Sequence, residues 1–192
     1  DITTLSSAQG IVDAALAAFG EVHVLVNNAG VLRDRMFISL SEEDWDIVMR
    51  VHRKGHYCLA NILGRRWRDL AKAGTPVAAR IINTSSGAGL QGSIGQSNYS
   101  AAKGGIASLT LVQAAELGRY GVTANALAPA ARTAMTEGAM PDMVKKPDDD
   151  SFDAWAAENV APLVVWLGSE ASGHVSGQLF ESQGGRISLG DG

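Results

Sequence analysis

The sequence predicts an α/β fold, a doubly wound parallel sheet flanked by helices, and three observations carry that expectation. Val22–Val26 and Ile81-Ile82 are short runs apolar on both faces, as strands covered by helices on both sides must be. Each runs straight into a small polar loop, Asn27-Asn28-Ala29-Gly30 after the first and Ser85-Ser86-Gly87 after the second. Longer segments with helical apolar spacing separate the strands, which is the alternation that builds parallel sheets.

In chain order, Ile11 to Phe19 has helical spacing and Gly20 is placed to stop it. After the Val22–Val26 strand, Ser41-Glu42-Glu43-Asp44 opens a second helix: a serine cap, then acids that suit the helix dipole. That helix is expected to run to about Trp67, with Trp45, Val48, Val51 and Tyr57-Cys58 on or near its buried side. Lys72–Thr75 reads as a polar loop before the Ile81 strand. A third helix is expected from about Asn98 to Gly118, dense in Ala and Gly so that neighbours can pack closely. Val122–Leu127 is a further strand. Ala130–Asp150 is irregular and ends in Lys145-Lys146-Pro147-Asp148-Asp149-Asp150, which suits a flap over a pocket or, for the charged run, a solvated loop. Pro162–Leu167 begins a short helix and Leu179-Phe180-Glu181 a last strand.

The chemistry is concentrated in Tyr99-Ser100-Ala101-Ala102-Lys103. On a helix, positions i and i+4 share a face, so the phenol and the ammonium point at one small volume. A free tyrosine titrates at about pH 10, and a nearby positive charge favours the phenolate, which makes such a phenol a usable acid and base. Ser86 lies thirteen positions upstream, where a parallel strand runs out into a loop. Ligands of open α/β sheets collect at that edge.

These pieces resemble the short-chain dehydrogenase/reductase family. The matching stretches are NNAG (27–30), TSSGAG (84–89), GQSNYSAAK (95–103), NALAPAARTAMT (125–136), Val175-Ser176-Gly177-Gln178 and Gly184-Gly185, so the likeness covers nearly the whole chain. A narrower likeness rests on Leu32-Arg33-Asp34-Arg35-Met36, Asp44-Trp45-Asp46, Arg50-Val51-His52, Gly95-Gln96-Ser97-Asn98, the 65–79 insertion and the 161–169 segment. Those stretches are similar to the (3R)-hydroxyacyl-CoA dehydrogenase part of peroxisomal multifunctional enzyme type 2 and to stand-alone actinobacterial relatives.

The resemblance implies a Rossmann-type, nicotinamide-dependent oxidoreductase acting on a secondary alcohol or ketone. A 3-hydroxyacyl-CoA is the first substrate expectation, a hydroxysteroid the second, and a 3-oxoacyl carrier-protein reductase the third; a catalytically silent cofactor-binding or scaffold homologue is the rival of another class. It gives Tyr99 the role of proton donor or acceptor and Ser86 that of hydrogen-bonding the substrate oxygen. Lys103 would hold the nicotinamide ribose and lower the tyrosine pKa. Asn27, Ala29 and Gly30 would line the adenosine and ribose side, Asn28 and Ser85 would be structural, and Pro129 and Thr133 would border the nicotinamide. Ala130 stands where the family usually has Gly, and Thr133 follows Pro129 by four positions rather than five. Asp1 and Ile2 match the family's adenine-contacting position by their distance from NNAG. The expectation is therefore one dinucleotide-binding domain over 1–192, N-terminally truncated, with Asp1 at the end of a third strand, the first three strands missing, and Val22–Val26 left as an apolar edge. NAD is expected, with NADP open because the discriminating residues would lie further upstream. His52 occupies the family's Asn position in V-N-x-x-G, where it either takes over a proton relay to the lysine or packs as a helix residue.

With 192 residues, net charge −4 and 46% hydrophobic content, the chain is ordinary for one soluble α/β domain. No apolar run reaches the ~18 residues of a membrane span. Mild acidity without a basic stripe argues against nucleic acid. The sole cysteine, Cys58, excludes an internal disulfide, fits a reducing compartment and reads as a core residue; the cytoplasm is the expected location. His23, His56 and His174 are scattered and without paired acids, so no metal site is expected. The four Trp read as core and interface packing, and Arg33, Asp34 and Arg35 as the site mouth, a subunit contact or plain surface. Association into a homodimer or homotetramer through the 41–67 and 98–118 helices is a further implication of the resemblance.

Overall fold

The computed structural model describes residues 1–133, 136–137 and 142–190. Five strands form one sheet in the order β1 (Val24–Asn27), β2 (Ala79–Thr84), β3 (Val122–Ala130), β4 (Leu179–Gln183) and β5 (Arg186–Leu189). The first four run parallel, with Leu25 beside Ile81, Ile81 beside Ala124 and Leu127 beside Phe180; β5 returns antiparallel as a hairpin after Gly184 and Gly185.

The helices cover both faces because adjacent residues of a buried strand point opposite ways. Ile81 packs with Leu25, Val122 and Ala124 against Val12 of α1 (Leu5–Phe19) and Ala60, Leu63 and Trp67 of α3 (Gly55–Lys72). Ile82 packs on the other face with Leu127 and Phe180 against Leu163 and Leu167 of α6 (Ala161–Gly168). This is the two-sided burial that the apolar strands called for. β1 has β2 as its one partner in the sheet, and its Val24 and Val26 remain 38% and 44% exposed.

The expected boundaries shift in informative ways. α1 starts at Leu5 rather than Ile11, because the Thr4 hydroxyl accepts from the Ser7 amide at 3.2 Å; it stops at Gly20, whose φ of 80° is costly for other residues. Asp1 and Ile2 lie outside any strand, contrary to the strand end expected there; the Asp1 carboxylate folds onto Thr3 and the Ile2 side chain packs at Gly55. Ser41 caps α2 (Glu42–Met49) by accepting from Asp44 at 3.1 Å, as expected. α2 joins α3 through a π-helical turn, Arg50–Lys54, so the second helix is one long rod with a local bulge that ends at Lys72. α4 (Gly87–Gln91) is a short helix where a loop was expected, and α5 (Ser97–Leu117) matches the third helix. β3 continues three residues beyond Leu127, and β5 was not expected at all. Of the 130–150 segment, positions 134, 135 and 138–141 lie outside the described residues. Among the described residues no helix is long and apolar enough to cross a membrane.

Candidate active site

Ser86 leaves the carboxyl end of β2 and caps α4, its Oγ accepting from the Ala88 amide at 3.2 Å. The same hydroxyl stands near enough to the Tyr99 phenol to favour its ionised form. Lys103, one turn along α5 from Tyr99, is 3% exposed; its Nζ donates to the Thr84 carbonyl at 2.6 Å and lies 5.5 Å from the centre of the Tyr99 ring. Hydroxyl, phenol and amine thus converge at the carboxyl edge of the sheet.

The convergence is built by a backbone-to-backbone contact. A Cβ on Gly89 would stand 2.6 Å from the Gly104 nitrogen and from the Lys103 carbonyl carbon, so only glycine lets α4 lie on α5. The buried Ser85 hydroxyl donates to the Lys103 carbonyl at 2.9 Å and ties β2 to the same turn, consistent with a structural role.

The 33–36 segment docks against the start of α5. Asn98, with no exposed surface, donates to the Arg33 and Asp44 carbonyls at 3.0 and 3.2 Å while its Oδ1 accepts from the Tyr99 amide at 2.8 Å. Gln96 donates to the Asp34 carboxylate at 2.9 Å, and the Arg35 amide donates to the Gly95 carbonyl at 2.8 Å. Asp34 and Asn98 therefore belong to the frame around the tyrosine. Of the readings the sequence left open for Asp34, this contact favours the site mouth; Asn98 had no role in the sequence, since only the fold makes it a neighbour of Arg33 and Asp44.

Electrostatics corrects one expectation. Burial pushes the Tyr99 phenol above its ordinary pKa, helped by the Asp34 charge, and the neighbouring Ser86 hydroxyl only partly offsets this. Lys103 was expected to lower it, yet its ammonium is turned to the Thr84 carbonyl and is itself pulled down to about 8 by burial.

His52 lies on the π-turn with its ring edge-on to Tyr99, centroids 5.2 Å apart. Its Nε2 meets the Val31 carbonyl at 2.8 Å and the Val31 amide at 3.1 Å, and its buried Nδ1 has no partner. Gly30 makes room for it: a Cβ there would stand 2.4 Å from the His52 Cε1. His56 is not isolated, as its place in the sequence suggested, but buried in the same region, with both ring nitrogens unpartnered. Burial first and the Lys103 charge second hold His52 down to about 4 and His56 to about 3, so both imidazoles are neutral at neutral pH.

The residues expected to meet a dinucleotide are distributed along the same edge. The Asn27 side chain is 4% exposed and turned inward, donating to Asn83 at 3.0 Å and to the His56 carbonyl at 3.3 Å; Asn83 in turn donates to Thr110 and Gln113 at 2.9 and 2.8 Å. That leaves the exposed Ala29 and the half-buried Gly30 at the surface after β1. Pro129 sits in β3 beside Ser182 of β4, and the exposed Thr133 forms a turn in which its amide donates to the Thr136 hydroxyl at 2.8 Å. Cys58 is fully buried and its thiol pKa raised, as a core residue's should be. Trp67 is a core residue whose indole N–H donates to the Val22 carbonyl at 2.9 Å; Trp45 and Trp166 stay partly exposed. Among the described residues no three His, Cys, Asp or Glu side chains gather as metal ligands.

Comparison with known proteins gives the family and the fold. Residues 1–144 match the short chain dehydrogenase family, to which the chain belongs. It is 44% identical to the hydroxyacyl-CoA dehydrogenase ChsB1 of Mycobacterium tuberculosis, over 98% of this chain and 60% of that protein. It is 40% identical to peroxisomal multifunctional enzyme type 2 of Mus musculus, over 96% of this chain and 23% of that protein. A crystal structure of a short chain dehydrogenase from Mycobacterium avium superposes with a TM-score of 0.88 at 53% identity, covering 100% of this chain and 62% of that one. The chain thus spans about 60% of the length of the first of these relatives.

Proposed function

We propose that this domain serves an NAD-dependent oxidoreductase that interconverts a 3-hydroxyacyl-CoA and its 3-oxo form. The observation that carries the reading is the convergence of Ser86, Tyr99 and Lys103 at the sheet's carboxyl edge. The name of one relative, a hydroxyacyl-CoA dehydrogenase, supports the substrate class.

The residues present fit a nicotinamide nucleotide. Lys103 spends one of its three protons on the Thr84 carbonyl, leaving donors for ribose hydroxyls inside a buried site. Ala29 and Gly30 offer backbone that a sugar can approach closely, and Pro129 and Thr133 flank the far side. A bound nicotinamide takes up or gives the hydride. The protein's part is the proton and the orientation.

The Ser86 hydroxyl holds the substrate oxygen within reach of the Tyr99 phenol. Because that phenol is protonated at neutral pH, it can give its proton to a developing alkoxide in the reducing direction; in the oxidising direction it must first be a phenolate. Lys103, charged below about pH 8, would stabilise that phenolate once its ammonium faces the site. His52 supports the turn beside Tyr99 and offers the unpartnered Nδ1 as an acceptor for a relay.

The test is nucleotide reduction by the complete protein with 3-hydroxyacyl-CoA, hydroxysteroid and carrier-protein substrates. Tyr99→Phe is expected to lower kcat by ~100-fold or more, in line with the loss of a general acid. Undiminished turnover in that variant would refute the assignment. An inert wild type that still binds the dinucleotide would favour a silent, cofactor-binding homologue.

The outer faces of α3 and α5 support self-association. Tyr57, Leu111 and Val112 are 42%, 57% and 48% exposed there, beside a groove of about 780 Å³ that no residue of the catalytic cluster lines.

A further inference from the structure

Arg132 is a charged residue that the chemistry above leaves unused, and its surroundings are unusually well built. It follows the last residue of β3 by two positions, yet its contacts reach far ahead in the chain. Its backbone amide donates to the Trp155 carbonyl at 2.6 Å, and its Nη1 donates to the Val144 carbonyl at 3.0 Å. The guanidinium fork grips the Asp153 carboxylate through both nitrogens, Nη1 at 3.2 Å and Nη2 closer still, with each side chain only 18% exposed. Asp153 is oriented in its own right: its Oδ1 accepts from the Trp155 amide at 3.1 Å and its carbonyl from the Asn159 side chain at 2.8 Å. Glu137 stands 4.0 Å from the Arg132 Nε on the more open side. Arg132, through its side chain and its backbone amide, therefore pins residues 144, 153 and 155 to the end of β3.

The pinned segment lies over the carboxyl ends of β3 and β4. Ala154 packs on Gly184, where a Cβ would stand 2.9 Å from it, and Phe152 lies by Gly185, both at the tip of the β4–β5 hairpin. Phe152 is nevertheless 67% exposed, an aromatic surface at this end of the sheet. Strand spacing puts this wall about 10 Å from the end of β2, where Ser86 emerges. A substrate whose carbonyl sits at Ser86 and Tyr99 would reach this wall by extending across the carboxyl ends of β3 and β4.

We propose that Arg132 is a positioning residue for substrate: its clasp on Asp153 and Val144 fixes the Phe152–Trp155 wall, against which the apolar part of a large substrate lies. The clasp touches no reacting atom. It acts on binding of the acyl portion, and so rests on the reaction proposed above for its kinetic reading.

Two measurements on the complete protein test it. Asp153→Asn keeps the shape and removes the charge; it is expected to raise KM for a long-chain 3-hydroxyacyl substrate by roughly tenfold, the effect of losing one well-formed contact. The nucleotide KM and kcat should change little, and Asp153→Glu should restore much of the loss. Limited trypsin digestion of the same variant should cleave after Lys145 several-fold faster than the parent, since Val144 is no longer held. Lys145 is exposed and Arg132 itself is retained, so the assay reads the clasp rather than a lost site. Unchanged KM with unchanged cleavage would overturn the proposal, as would a fall in kcat at constant KM. If the parent protein oxidises no alcohol at all, the reaction proposal fails and the digestion rate alone decides the clasp.

Discussion

Lys103, His52 and His56 place three nitrogen bases in the protein interior with no acid among the partners that the structure gives them. Burial disfavours their charged forms, and the consequence is a pH dependence of stability with a definite sign. Below about pH 6.5 the unfolded chain takes up protons on both histidines that the folded chain refuses until about pH 4 and 3. Stability should therefore fall as pH drops from 6.5 toward 4, at on the order of 1.4 kcal/mol per unit for each fully shifted group. Denaturant unfolding at pH 7 and pH 5 should show this loss, and His56→Asn should reduce it. Equal losses in parent and variant would show that His56 is not the titrating group. Lys103 works at the other end: its folded pKa of about 8 lies below the unfolded one, so stability should rise as pH climbs from 8 toward 10.5. At this scale the sequence revealed Ser86, Tyr99 and Lys103, because a fixed helical spacing brings the last two together. It did not reveal Asn98 or Arg132, whose partners are remote in the chain and obey no period.

Among the elements, the contact of α4 with α5 decides whether the site exists. Ser86 is delivered to Tyr99 by a five-residue helix whose own propensity is negligible, so tertiary packing must hold it. Gly89→Ala would force a methyl into the Gly104 and Lys103 backbone, and a loss of ~1–3 kcal/mol is expected from such overpacking. Activity should fall with it, because separation of α4 moves the serine. A Gly89→Ala protein with parental Tm and kcat would show that the two helices can part without cost. The caps at Ser41 and Gly20 were readable because capping is local chemistry. The π-turn at Arg50–Lys54 and the antiparallel β5 were not: the first depends on how His52 seats against Val31, the second on pairing with β4. β1 was readable as a strand, and among the described residues it lies at the rim of the sheet, as expected of Val22–Val26.

For the whole molecule, the exposed apolar residues of α3 and α5 flank one groove, which Arg65, Arg68, Arg119 and Glu116 also line. Light scattering of the complete protein is expected to give a dimer or tetramer, and Val112→Glu, placing a charge on that face, should shift it toward monomer. A monomeric parent at micromolar concentration would remove the self-association reading. Buried links cross the same volume: Gln113, which reaches the groove, bonds Asn83, and Asn83 bonds Asn27 below the candidate dinucleotide loop. What the sequence by itself determined is the α/β class, the parallel strands and the shared helical face of Tyr99 and Lys103, because hydrophobic period and helical spacing are short-range properties. Only the tertiary structure decided that the phenol is held above its ordinary pKa, that two imidazoles are kept neutral beside the lysine, and that Arg132 binds a wall to the sheet. Each of those depends on which groups lose contact with water together, and desolvation is a property of packing rather than of order along the chain.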